Sequence, residues 1–186
     1  MLAKSCFDLR EYRECAHSLK NSKSNLDLFL RYYSTLLAIQ SQQAYTDHTN
    51  ITEHNTDELA ILLDDLLDIK EKDAFLLYLT GCVLLELKRK DAVEYLIDSV
   101  LKYPCNWSAW LALGTTITTV DKFEEIFIKI PSTFISQCFK IKVFNNLYQK
   151  SQDVEPLINS LLMQHPSQFL NVEKAVLYHN NRGILF

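Results

Sequence analysis

The sequence predicts an all-α protein of stacked antiparallel helical hairpins, and three observations carry that prediction. Turn formers are scarce, with three Gly and four Pro in 186 residues, too few for a β protein built on tight turns and suited to long helices. Apolar residues recur at three-and-four spacing along much of the chain, the period of a helix with one buried face. Two stretches also share a punctuation: Gly81 and Gly114 lie 33 residues apart, with Ala92, Leu96, Ser99 and Pro104 between them.

That distance is close to the ~34-residue period of tetratricopeptide repeats, and Trp110-Leu111-Ala112-Leu113-Gly114 carries the W-x-x-L-G signature. In such a hairpin Trp110 and Leu113 pack against the neighbouring helix. Gly81, Gly114, Ala92 and Ser99 let backbones approach, and Pro104 ends the second helix by removing a donor and clashing with the preceding turn. One hairpin cannot bury its own apolar face, so repeats stack into a solenoid with a concave binding side. The expectation is a single right-handed array over residues 1–186, with roughly eleven helices and no sheet.

The elements follow in order. Residues 1–22 read as a repeat cut short at its front: with Tyr12 and Cys15 at the aromatic and small positions of a second helix, Ala3 takes the glycine position of the first and residues 8–11 make the turn. Residues 21–25 are a polar break suited to capping the next helix. Over 26–40, Leu26, Phe29, Leu30, Tyr33, Leu36 and Leu37 form the stripe of an amphipathic helix with aromatic faces. At helical spacing such aromatics are usually core, yet adjacent Tyr32 and Tyr33 do not both face one core and Tyr is enriched at interface centres, so Phe29, Tyr32 and Tyr33 are candidate interface residues.

Residues 41–55 read as a polar, poorly ordered loop insertion, longer than most connections in helical arrays. Leu59, Leu62, Leu63, Leu66 and Leu67 stripe the next helix, which closes on Lys70-Glu71-Lys72. In the Gly81 repeat Leu77 and Thr80 stand where Trp and Leu are usual, and the turn is one residue short. Residues 121–131 form a short second helix with Phe123, Ile126, Phe127 and Ile130 turned inward; Pro131 comes 27 residues after Pro104, which truncates that repeat. Residues 134–150 and 153–165 make another pair. Residues 169–182 begin a further first helix, whose stripe of Val172, Ala175, Val176 and Tyr178 is expected to be frayed, covered by residues 183–186 or packed on another molecule.

Composition excludes several function classes. The net charge is −4 with Lys and Arg dispersed, which leaves no basic stripe for phosphates, so nucleic acid is not an expected partner. No uncharged apolar run reaches ~18 residues, and Met1 is not followed by a secretory layout; no membrane contact and an intracellular location are expected. Cys6, Cys15, Cys82, Cys105 and Cys138 are odd in number and hold no C-x-x-C pair, which suits buried thiols in a reducing compartment. His48 and His54 with Asp47, Glu53 and Asp57 have metal-ligating chemistry, but polar loops gather such residues by composition alone. No nucleophile motif or glycine-rich phosphate loop is present, so no enzyme, cofactor or metal is expected.

Three stretches resemble a known family: Leu2-Ala3-Lys4-Ser5-Cys6-Phe7-Asp8 with Glu11-Tyr12, Trp107-Ser108-Ala109-Trp110-Leu111 with Ile117-Thr118, and Ala175-Val176-Leu177-Tyr178-His179-Asn180-Asn181-Arg182. Together with the polar insertion and the truncated repeat, they are similar to the amino-terminal part of the subunit-eight family of the anaphase-promoting complex. The resemblance implies a scaffold in a large ubiquitin ligase of mitosis, nuclear and cytoplasmic, whose amino-terminal repeats pair two copies and whose other partners are further subunits. It also implies that this chain is an amino-terminal fragment without the carboxy-terminal groove that receives isoleucine-arginine tails. The alternative is a monomeric adaptor binding a partner peptide in its concave groove. There Tyr78, Cys82, Leu111, Ala112 and Thr115 offer a bare carboxylate little to pair with, and suit an apolar protein surface better.

Overall fold

In a computed structural model, residues 2–45, 51–147 and 154–182 are described, side chains excepted at 43–45, 51–55 and 181–182. The fold is all-α, with eleven helices and no strand among those residues. The chain gathers into two compact units, Met1–Ala109 and Trp110–Phe186.

The first unit begins with two short helices, α1 (Leu2–Asp8) and α2 (Tyr12–Ser18). Arg10 between them takes a φ of 64°, and the amides of Arg10 and Glu11 turn back to Phe7 O (3.0 Å) and Cys6 O (2.9 Å). That pair of bonds is a Schellman closure, which satisfies the last carbonyls of α1. Next come α3 (Asn25–Tyr45) and α4 (Ile51–Leu67).

Both helices intrude into the expected loop over 41–55. Residues 41–45 extend α3 and residues 51–55 open α4, which leaves 46–50 outside the described residues. Polarity misled here because Gln and Ala are good helix formers whatever their hydropathy, and Ser41 turns its hydroxyl back to Leu37 O at 2.7 Å. The possible chelating set on that loop also falls outside what is described for His48, His54, Asp47 and Glu53.

The core face of α3 differs from the expected stripe. Leu36 is buried as expected, but Leu26 is exposed, and Tyr32, Ala38 and Ile39, outside that stripe, are buried. The reason is that α3 meets α2, α4 and α5, so it buries more than one face. On α4, Leu59, Leu62, Leu63 and Leu66 enter the same core and Leu67 stays exposed.

The tightest hairpin pairs α5 (Ala74–Glu86) with α6 (Ala92–Lys102). Asp73 caps α5 by accepting from Leu76 N at 2.8 Å. Thr80, at the position of the usual Leu, is fully buried and donates to Leu76 O at 2.8 Å, so its hydroxyl costs nothing in lost hydrogen bonds. The short turn closes like the first one: Lys88 has φ 55°, and Lys88 N and Arg89 N reach Leu85 O and Leu84 O, both at 2.9 Å.

Helix α7 (Trp107–Thr115) carries the W-x-x-L-G run, and α8 (Val120–Phe127), capped by Thr119, is short as Pro131 foretells. Phe123, Ile126 and Ile130 are buried there. In the second unit α9 (Phe134–Asn146), α10 (Val154–Gln164) and α11 (Gln168–Arg182) pack on one another. Thr133 and Ser136 form a reciprocal capping box at the start of α9. On α11 the inward residues are Leu170, Glu173 and Leu177; Val172 and Tyr178 of the expected stripe are exposed.

Candidate interaction surface

The signature residues occupy the joints of this fold. Gly81 is buried, and a Cβ on it would stand 2.7 Å from both Leu96 Cγ and Leu96 Cδ2 and 3.5 Å from Ala92 O. Ala92, Leu96 and Ser99 are themselves fully buried, and the Ser99 hydroxyl donates to Ala74 O at 2.7 Å, tying α6 to the first residue of α5. Pro104, half-buried, follows the end of α6. Cys15 is fully buried and accepts from the Ser34 hydroxyl at 3.2 Å, while Ala3 and Tyr12 are half-buried.

Trp110 and Leu113 are buried in the second unit, where the indole meets Phe139 of α9 at 5.0 Å between centroids. Gly114 is looser than its place in the motif suggests. Its Cβ would meet Phe139 Cε2 at 3.4 Å and Val143 Cγ2 at 3.9 Å, both on α9 and at ordinary contact distance.

The three candidate interface aromatics separate. Tyr32 is buried, with the Arg31 guanidinium 5.0 Å above its ring, and burial raises its phenol pKa. It belongs to the core, because its one-residue offset from Tyr33 turns it toward α4. Phe29 and Tyr33, four residues apart, stack at 5.4 Å and form the middle of a longer ladder.

Tyr12 meets Phe7 edge-on at 5.7 Å, and Phe7 meets Tyr33 at 6.1 Å. On the other side Phe29 meets Phe75 edge-on at 5.7 Å, and Phe75 meets Tyr103 at 5.5 Å. Six rings from α1, α2, α3, α5 and the segment after α6 thus run in succession along the first unit. The ladder ends in the open: Phe75 is 40% exposed and Tyr103 45%.

Tyr78 and Cys82 continue the α5 face that begins at Phe75, three and seven residues on. Burial, and then the neighbouring Cys82, push the Tyr78 phenol well above its ordinary value; burial likewise pushes the Cys82 thiol up to about 11. The Tyr33 phenol is raised too, by burial first and then by Cys82 and Tyr12. All three groups are therefore neutral at physiological pH, and the surface offers rings and uncharged polar tips. Such a surface suits a protein partner.

Phe7, Phe75 and Tyr103 are additions to the sequence-predicted set. The spacing of Phe75, Tyr78 and Cys82 on one helical face was available in the sequence, whereas the meeting of Tyr103 with Phe75 depends on how the chain turns after α6. Among the described residues no helix is long and apolar enough to cross a membrane, and no cluster of metal-ligating side chains forms.

Residues 1–175 match the family model described as "Anaphase promoting complex subunit 8 / Cdc23". The chain is 29% identical over 195 residues to the human Cell division cycle protein 23 homolog, an alignment covering 98% of this chain and 32% of the relative. It is 37% identical over 135 residues to the Arabidopsis thaliana Anaphase-promoting complex subunit 8, covering 68% of this chain and 23% of that protein. With the Dictyostelium discoideum Anaphase-promoting complex subunit 8 it shares 30% identity over 242 residues, 98% of this chain and 40% of the relative. The chain thus spans between about a quarter and two fifths of the length of these relatives.

Proposed function

We propose, because this chain belongs to the anaphase-promoting complex subunit 8/Cdc23 family, that it is a non-catalytic scaffold segment of that complex and pairs with a second copy of itself through the aromatic ladder of its first unit. The relatives' names support membership of the complex. The observation that carries the pairing is the ladder itself: aromatic rings held in fixed contact, two of them about half exposed. Aromatic side chains supply much apolar area for little conformational entropy and dominate the centres of interfaces. A two-fold contact between identical patches is the commonest closed arrangement of identical chains, and an obligate one buries more than about 2,000 Å² in total. As a subunit of that complex the protein works in nucleus and cytoplasm, together with other subunits.

Sedimentation equilibrium of the 186-residue chain tests the pairing. The expected mass at tens of micromolar is that of a dimer. Phe75→Ser combined with Tyr103→Ser, both about half exposed in the monomer, is expected to return a monomer of unchanged helicity. A wild-type chain that stays monomeric there, or a double variant that stays dimeric, counts against the ladder as the interface.

A further inference from the structure

The seam between α11 and the α9–α10 pair is crossed by several side-chain hydrogen bonds. Glu173 sits in its middle at 2% exposure. Its carboxylate accepts from Lys142 Nζ at 3.0 Å and from Asn145 Nδ2 at 2.7 Å, and Asn145 Nδ2 also donates to Glu173 O at 2.9 Å. Two turns further along α11, Asn180 Nδ2 donates to Asn145 O at 3.1 Å. Toward α10, Lys174 Nζ reaches Asn159 Oδ1 at 2.7 Å and the Tyr178 hydroxyl reaches Glu155 Oε1 at 2.9 Å.

Against these polar bridges stand two deeply buried apolar side chains of α11, Leu170 and Leu177, split by the charge between them. Even the network is incomplete, since Asn145 Oδ1 is buried without a hydrogen-bond partner. We propose that α11 is a latch: it swings off α9 and α10 as one cooperative unit while those two helices stay folded, and the buried Glu173 charge, paired with a Lys142 side chain that is 31% exposed, is what makes the open state accessible.

The physical reason lies in the open state. When an apolar seam opens, all of its surface meets water at a cost. When this seam opens, the buried Glu173 carboxylate and the orphaned Asn145 oxygen regain hydration they lack when docked, and that gain offsets much of the loss of packing. Helices that detach in switching proteins are drawn from such low-stability contacts. The same groups fix where α11 lands, because a one-residue rotation would bury the carboxylate with no partner.

Hydrogen exchange on the whole chain under mild denaturant tests the latch. The amides of residues 170–180 are expected to exchange with one shared opening at least tenfold more populated than the opening that exposes the middle of α9. The paired replacement Lys142→Met with Glu173→Leu is expected to slow α11 exchange tenfold or more, with little change in α9. Should that variant fold poorly, Asn180→Ala serves instead, and is expected to speed α11 exchange several-fold and leave α9 alone. Protection that grades smoothly inward from the Arg182 end means fraying and overturns the proposal. So does α11 exchange that occurs only with global unfolding, or that responds to neither variant.

Discussion

Lys88 and Arg10 hold left-handed backbone at φ 55° and 64°, a conformation that costs a side chain-bearing residue about 1–2 kcal/mol and glycine almost nothing. Both close a Schellman turn with their own amide and the next one, so the geometry is needed while the side chains, exposed in each case, are not. Lys88→Gly and Arg10→Gly are each expected to raise stability by about 0.5–1 kcal/mol, the gain from strain relief less the entropy glycine adds to the unfolded chain. A urea midpoint that falls in both variants would show that the turns are not held as described.

Helix pairing rests on small residues at specific depths, and the two glycines of the shared punctuation differ in what they touch. At Gly81 an added methyl meets Leu96 at 2.7 Å in a hairpin whose Ala92 and Leu96 have no exposure, so overpacking of about 1–3 kcal/mol outweighs the ~1 kcal/mol that alanine gains in helix propensity. At Gly114 the nearest atom is the Phe139 ring edge at 3.4 Å. Gly81→Ala is therefore expected to lower the thermal midpoint, and Gly114→Ala to leave it level or raise it. Equal losses at both sites would argue against this difference in approach. The contacts at Gly114 also lie on α9, so a bulky residue there disturbs the join to a following hairpin before it disturbs α7 and α8.

For the chain as a whole, alkaline pH is the condition that strains it. Burial pushes Cys82 in the first unit and Cys138 in the second from 9.0 up to about 11. Between those values the unfolded chain has released protons that the folded chain still holds, so the folded state binds more and stability falls as pH rises. The contribution is complete below about pH 9 and is lost as pH climbs through about 11. Denaturant midpoints are expected to drop across that window, and Cys82→Ser with Cys138→Ala to flatten part of the drop. An unchanged slope in the double variant would assign the alkaline loss to other groups, such as the half-buried phenol of Tyr78.

Local physics made much of this protein readable from its residues. Helical period, sparse Gly and Pro, and the 33-residue recurrence specify an all-α fold of hairpins, since propensity and amphipathic spacing act over a few turns of chain. The resemblance in three short stretches led to the family whose model matches residues 1–175. Tertiary structure decided the rest. Tyr32 and Tyr33 are neighbours in sequence, yet one is core and the other part of a ladder, because α3 is gripped from several sides and only packing assigns its faces. Residues 41–45 look like loop by polarity and are helix by propensity. Glu173 is a charge on a helix, yet it is buried, and Asn145 and the partly exposed Lys142, 28 and 31 residues earlier, meet it there. Such pairings depend on where distant helices come to rest, a long-range property that no window of sequence contains.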